Sequence, residues 1–357
     1  MKKVFLLISS LILGALLLLS VFQQVGLTEI QAALFLFPKE GLVLTLLVNF
    51  FAVFVVGSYR WQLILEAQKC PVHFWKVMQA KMAGFTLSYI TPSVLVGGEP
   101  VRAYMIKEDS KCGWEKSLAS VIIDQTIFFA GLFVALIFGF IFLAERFSLP
   151  IEIFYGSGVI FLSATFVFYL FYKKIVNRGA NEQAFFTFLI HKIKLDRIGF
   201  VKNKLKNIDA TERNIERFFK EEKKYFLLVV LLALLEAFLD VLSVAVICFY
   251  LGQPIDFYKS LGVFFFMTIA NFFPIPGSLG SFEFALLFIF ELLGIGKETG
   301  LAFGIISRFV GIFFCSIGVF ALIWFNIKNI SHGFSLEAPP ILQKIHSIFS
   351  RFLKRKK

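Results

Sequence analysis

The chain has 357 residues, a net charge of +12, 58% hydrophobic residues and 49 phenylalanines, with a mean hydropathy of +0.80. An ordinary soluble domain is about 45–50% apolar, so this chain cannot bury its apolar surface inside one water-facing globule. A charged fraction of only 17% argues against a disordered or nucleic-acid-binding chain, and a polytopic membrane protein is the class that remains.

A spanning helix needs about 20 mostly apolar residues. The first such run, Val4 to Phe22, follows Met1-Lys2-Lys3 and has no small-residue cleavage site after it, so it reads as an uncleaved anchor. Further full-length runs are Leu42–Tyr59, Leu118–Leu143, Ile153–Tyr172, Tyr225–Leu251 and Leu301–Ile327. Two other stretches are interrupted. One, near 77–107, is broken by Thr91-Pro92, Gly97-Gly98-Glu99 and Arg102; the other, 257–293, is cut by Pro274, Pro276, Gly277 and Gly280. Each arm is about 15 residues, short for a crossing. Broken helices at membrane depth survive only where protein or a water-filled cavity satisfies the freed backbone groups.

Charge placement sets the expected topology. Residues 173–224 carry 14 Lys/Arg against 7 Asp/Glu, and the start and the tail after Ile327 are also basic. All three belong in the cytoplasm by the positive-inside rule. With six spans, that holds only if each interrupted stretch crosses zero or two times. The predicted fold is therefore all-α, with about six full spans plus two re-entrant broken-helix hairpins that enter from opposite faces. The transmembrane domain covers 1–330, and both termini are cytoplasmic, in a prokaryotic plasma (inner) membrane. The loop 173–224 reads as an amphipathic helix on the inner leaflet or a helix hairpin, with Ile208, Ile215, Phe218 and Phe219 on its apolar face; the tail 331–357 reads as a basic amphipathic anchor. The four cysteines form no CxxC pair or metal spacing and read as small apolar side chains. No metal and no cofactor is expected.

Both hairpins contain Pro-x6-Glu, from Pro92 to Glu99 and from Pro276 to Glu283. Paired Gly/Pro-broken segments in corresponding places point to a transporter's midplane site. Ionisable groups at such depth are costly, and those in the apolar segments are Glu99, Arg102, Asp124, Glu236, Asp240, Glu283 and Arg308, with Lys81 nearby. Arg102 follows Gly97-Gly98-Glu99-Pro100 at a helix start. Its fork and the helix amides suit a lipid phosphate; the alternative is an internal Glu99–Arg102 pair that pins the hairpin. Asp124 either holds Arg102 or Arg308 in place, takes a coupling proton, or pairs with a basic group near the cytoplasmic face. Glu236 and Asp240 share a helix face, as a proton relay or as a neutral hydrogen-bonded pair. Arg308 is the natural partner of Glu283, as structural pair or phosphate contact. No Walker loop, GxGxxG or nucleophile elbow is present.

The run Thr91-Pro92-Ser93-Val94-Leu95-Val96-Gly97-Gly98-Glu99-Pro100-Val101-Arg102 resembles the TP…GG[DE]xxR signature of the flippase-like domain family, the lysylphosphatidylglycerol synthase transmembrane region. Pro274-Ile275-Pro276-Gly277-Ser278-Leu279-Gly280-Ser281-Phe282-Glu283 is similar to its P-x-PGG-x-G-x-x-E signature, with Ser278 where the second Gly is usual. Asp124-Gln125 matches an acidic-Arg pair except that Gln125 replaces Arg, and Arg308 matches a lone Arg in the last span. The resemblance implies an integral membrane lipid translocase, moving an anionic or aminoacylated phospholipid or a lipid-linked intermediate between leaflets. On that reading Arg102 and Arg308 hold the phosphate, Glu99 and Glu283 position the arginines or bind a cationic headgroup, and Gly97, Gly98, Gly277 and Gly280, beside Pro92 and Pro276, allow close approach. Asp124, Glu236 and Asp240 give charge support. The soluble lysine-transferring domain of the full-length relatives is not expected in this chain, so no enzyme activity is expected. The alternatives are a non-transporting subunit partnering a separately encoded lipid synthase or glycosyltransferase, and an intramembrane lipid-modifying transferase.

Overall fold

In the computed structural model, residues 37–90, 97–109, 112–147, 151–171, 173, 205–272, 275 and 278–330 are described. The expected first span, the loop as far as residue 204 and the basic tail lie outside them, as do Pro92, Pro276 and Gly277. Ten helices and no strand are found among the described residues: α1 Lys39–Ala67, α2 Phe74–Ile90, α3 Glu99–Asp109, α4 Trp114–Arg146, α5 Ile151–Phe171, α6 Leu205–Glu221, α7 Lys223–Tyr250, α8 Phe257–Asn271, α9 Ser281–Leu292 and α10 Lys297–Ile330. The all-α expectation holds. Four of these, α1, α4, α7 and α10, are long and apolar enough to cross a membrane. The apolar α5 meets the bundle through Phe161, whose ring contacts those of Phe133, Phe140 and Phe265.

Both interrupted stretches fold as helix–break–helix hairpins. In the first, Gly98 N–H donates to Ser88 Oγ at 3.0 Å, and a Cβ on Gly84 would meet the Arg102 side chain, so α3 runs back along α2. In the second, Ser281 Oγ bonds to the Ala270 carbonyl and Phe266 meets Phe288, so α9 runs back along α8. Gly98 lies so close to the Gly84 backbone that any Cβ would collide with it. That glycine gives the two arms of the hairpin their close crossing, as small residues do between membrane helices.

The chain contains an inverted structural repeat. The set α1, α2–α3, α4 is followed by α7, α8–α9, α10, with counterparts 183 or 184 residues apart: Lys39 and Lys223, Phe74 and Phe257, Glu99 and Glu283, Trp114 and Lys297. The first helices of the two sets are antiparallel. Gly41 faces Tyr250, Gly57 faces Glu236 and Asn49 bonds to Ser243. Contacts obey the same exchange: α2 packs on α10 as α8 packs on α4, and α3 on α4 as α9 on α10. The hairpins therefore begin at opposite ends of the bundle.

Three sequence expectations change. First, α1 runs on from Tyr59 to Ala67, with a π-helical segment at Phe50–Val56, so Arg60 lies on a buried helix rather than in a loop. Second, the apolar face of α6 is covered by protein and not by a leaflet, because Ile215 and Phe218 are buried with Leu63, Ile64, Ala119, Ile123 and Val229. Third, Cys70 and Cys112 form a disulfide with Cα atoms 5.6 Å apart. They are distant in sequence, but the hairpin between them brings its two ends together, which no local spacing reveals.

Candidate functional site

Each hairpin tip uses its acid to close the backbone. Gly97 N–H donates to Glu99 Oε2 at 2.6 Å, and Gly280 N–H donates to Glu283 Oε2 at 2.9 Å. Glu99 is thus a cap on its own turn and forms no pair with Arg102. The amides of Gly97 and Gly98 are both engaged within the hairpin, so they are not the free amides expected for a phosphate. Gly280 has φ +81°, and Ser278 has φ +50°. The second value is left-handed backbone, which glycine adopts without cost and other residues do not; this is the position where a glycine is usual in the motif.

Arg102 turns from α3 toward α4. Its Nη2 donates to Asp124 Oδ2 at 2.5 Å, and its guanidinium lies over the Trp61 ring, 4.3 Å from the centroid. Asp124 also accepts from Arg60 Nε at 2.8 Å, with Lys81 Nζ at 3.9 Å. The other end of Arg60 reaches Glu236 on α7. These five groups form a chain of charges across α1, α2, α3, α4 and α7, all under 9% exposed. Burying them is tolerable because each acid has a cationic donor. In the second half, Arg308 of α10 pairs with Glu283 and donates to the Ser278 carbonyl at 3.1 Å.

Asp124 and Arg308 are counterparts 184 residues apart in the repeat. The exchange is charge-swapped: Asp124 of α4 takes an arginine from the first hairpin, and Arg308 of α10 takes a glutamate from the second.

Residues of both halves line an open cavity of about 360 Å³. Of the residues proposed from sequence, Glu99, Arg102, Asp124, Glu236, Asp240 and Arg308 line it. Glu283 stands behind Arg308, and Gly97, Gly98 and Gly280 do not reach the lining. Arg60 and Lys81 also line it. Arg60 is the residue that sequence reading missed. Its signal was the apolar run continuing through Trp61, Leu63, Ile64 and Leu65, which makes Arg60 a lone cation inside one long helix. Phe54, Phe85, Phe128, Phe264, Phe303 and Phe314 supply much of the remaining wall. No group of three or more metal-ligating side chains occurs among the described residues.

Residues 6–318 match the lysylphosphatidylglycerol synthase TM region family. The chain belongs to that family. It is similar to a UPF0104 membrane protein of Methanothermobacter thermautotrophicus, with 24% identity over 88% of this chain and 94% of that protein. UPF0104 membrane proteins of Pyrococcus horikoshii and Methanocaldococcus jannaschii are each 22% identical, over 72% and 84% of this chain and 78% and 89% of their own lengths. No solved structure matches. Within the family, this chain has Gln125 beside Asp124. Arg102 Nη1 reaches its side-chain oxygen at 3.5 Å.

Proposed function

We propose that this membrane protein moves a phosphate-bearing lipid headgroup, of an anionic or aminoacylated phospholipid or a lipid-linked intermediate, between leaflets through the central cavity. The observation that carries the reading is one cavity between two broken-helix hairpins of an inverted repeat, with Arg102 and Arg308 both in its wall. Transporters built from inverted repeats bind their substrates at such an interface, and the halves rock about it. Arg102 offers a fork suited to a phosphate, and Arg308 does the same from the other half. The hairpins are re-entrant, the termini are cytoplasmic and the membrane is the prokaryotic plasma membrane.

The test is leaflet exchange of fluorescent phosphatidylglycerol and its lysyl derivative in liposomes holding the purified chain, read by dithionite quenching. Exchange by the parent and none by Arg102→Ala, at equal protein incorporation, is the expected result. Normal exchange by Arg102→Ala removes that arginine from the path. Absence of exchange for every lipid, with a stoichiometric partner co-purifying, transfers the role to a non-transporting subunit of a lipid-modifying enzyme.

A further inference from the structure

We propose that Asp240 is the proton-binding group of this cavity, so that an anionic headgroup enters together with one proton taken from the aqueous phase. The inference rests on the reading that the cavity takes a phosphate-bearing headgroup, and it names what drives the movement in a chain without a nucleotide-binding motif.

The argument is one of elimination among the acids. Asp124 is held by Arg60, Arg102 and Lys81. Glu236 is held by Arg60. Glu283 is held by Arg308 and the Gly280 amide. Glu99 accepts from the Gly97 amide. Each of these four is fixed as an acceptor. Asp240 lines the same cavity, and among the described residues it makes no hydrogen bond and no ion pair. Its counterpart in the repeat is Val56, and that of Glu236 is Ala52, so the acidic face of α7 is not a by-product of the duplicated frame.

The charges around Asp240 come from several helices. Glu236 lies one turn earlier on α7, and the cations whose charge acts on Asp240 are Arg60 of α1 and Lys81 of α2, both in the same cavity wall. Farther round the cavity are Tyr89 of α2, Glu99 and Arg102 of α3, Asp124 of α4 and Arg308 of α10, while α8 and α9 add only uncharged side chains. The lining thus holds four cations and four acids, Asp240 included. Glu283, paired behind Arg308, brings the acids to five, and a proton on Asp240 entering together with a phosphodiester monoanion leaves the net charge of the site unchanged.

A second observation points to the ligand. Arg102 is 6% exposed, and its buried Nε meets no hydrogen-bond partner among the described residues. A buried charge-bearing donor without an acceptor is costly, and an anionic oxygen would satisfy it. Uncompensated charge is expensive in such a site, so proton and anion favour one another, and the coupling is reciprocal. The sign follows: headgroup binding tightens as pH falls, and binding draws protons from solution.

The experiment uses the purified full chain in uncharged detergent with short-chain phosphatidylglycerol as probe. Binding is measured from about pH 5 to about pH 8, which spans the interval above the ordinary carboxyl range, and proton uptake is followed with an indicator dye in weak buffer. The expected result is uptake of about one proton per lipid and binding about fivefold or more tighter at the acid end. Asp240→Asn should bind with neither uptake nor pH dependence, and Asp240→Glu should keep both with a shifted midpoint. Binding by the parent without proton uptake overturns this inference and leaves the cavity reading standing. An unmoved midpoint in Asp240→Glu assigns the proton to another group and also overturns it, even if Asp240→Asn fails to fold. No binding by the parent at any pH removes both readings.

Discussion

Arg60 and Arg102 share Asp124 but are not equivalent. Arg60 bridges two acids that are almost fully buried, so Arg60→Ala strands Glu236 and weakens the hold on Asp124. Breaking a buried pair this way costs about 3–5 kcal/mol, to be read as a large drop in unfolding temperature in detergent. Arg102→Ala leaves Asp124 bound to Arg60 and should melt much closer to the parent while losing lipid exchange. If the two variants melt alike, the division into structural and substrate-facing arginines fails. Ser278 supplies a second test. Its φ of +50° costs a side-chain-bearing residue about 1–2 kcal/mol, so Ser278→Gly should raise the unfolding temperature while the Arg308 bond to the residue 278 carbonyl persists. Much of this was readable from residues alone, because acids and arginines inside apolar runs must find partners. Which partner each one takes was not readable: Glu99 caps its own turn, and Arg102 goes to Asp124.

At the scale of elements, the first hairpin is closed covalently and sterically. Cys70 precedes α2 and Cys112 follows α3, 42 residues apart. A loop of this length stabilises by about 2–4 kcal/mol through restriction of the unfolded chain. Non-reducing digestion should yield one cross-linked peptide pair containing both cysteines, and Cys112→Ser should lower the unfolding temperature. Two unlinked peptides would refute the pairing. Gly98→Ala would drive a methyl group into the Gly84 backbone, so we expect a loss of about 1–3 kcal/mol by overpacking and displacement of Arg102, which sits on the same crossing. The hairpins themselves were legible, since Pro and Gly interrupt apolar arms too short to span. The extension of α1 past Tyr59 was not, because a charge normally marks the end of a span, and Arg60 stays inside only through acids on α4 and α7.

At the scale of the molecule, the antiparallel α1 and α7 put the starts of the two hairpins at opposite ends of the bundle. Lys69 and Gln253 are exposed residues at those two ends. With Cys248 and Cys315 replaced and the disulfide intact, single cysteines at these positions should react with an impermeant thiol reagent from opposite sides of a sealed vesicle. Labelling of both from one side would contradict the inverted arrangement. The same arrangement makes Arg102 and Arg308 parts of one site. Their alanine variants should therefore be non-additive in lipid exchange, each alone removing most of the activity.

What the sequence by itself determined follows from the solvent. Long apolar runs with few charges dictate spanning helices, and Gly/Pro breaks dictate where a helix cannot continue, since both are local consequences of backbone hydrogen bonding in a medium without water. The tertiary structure alone decided what depends on distance between remote segments. The disulfide across the first hairpin, the burial of Arg60 between Asp124 and Glu236, the cover over α6, and the meeting of the two halves around one charged cavity all join residues tens to hundreds of positions apart. Their energies reside in pairs, and a pair becomes visible only when the fold brings both members to one place.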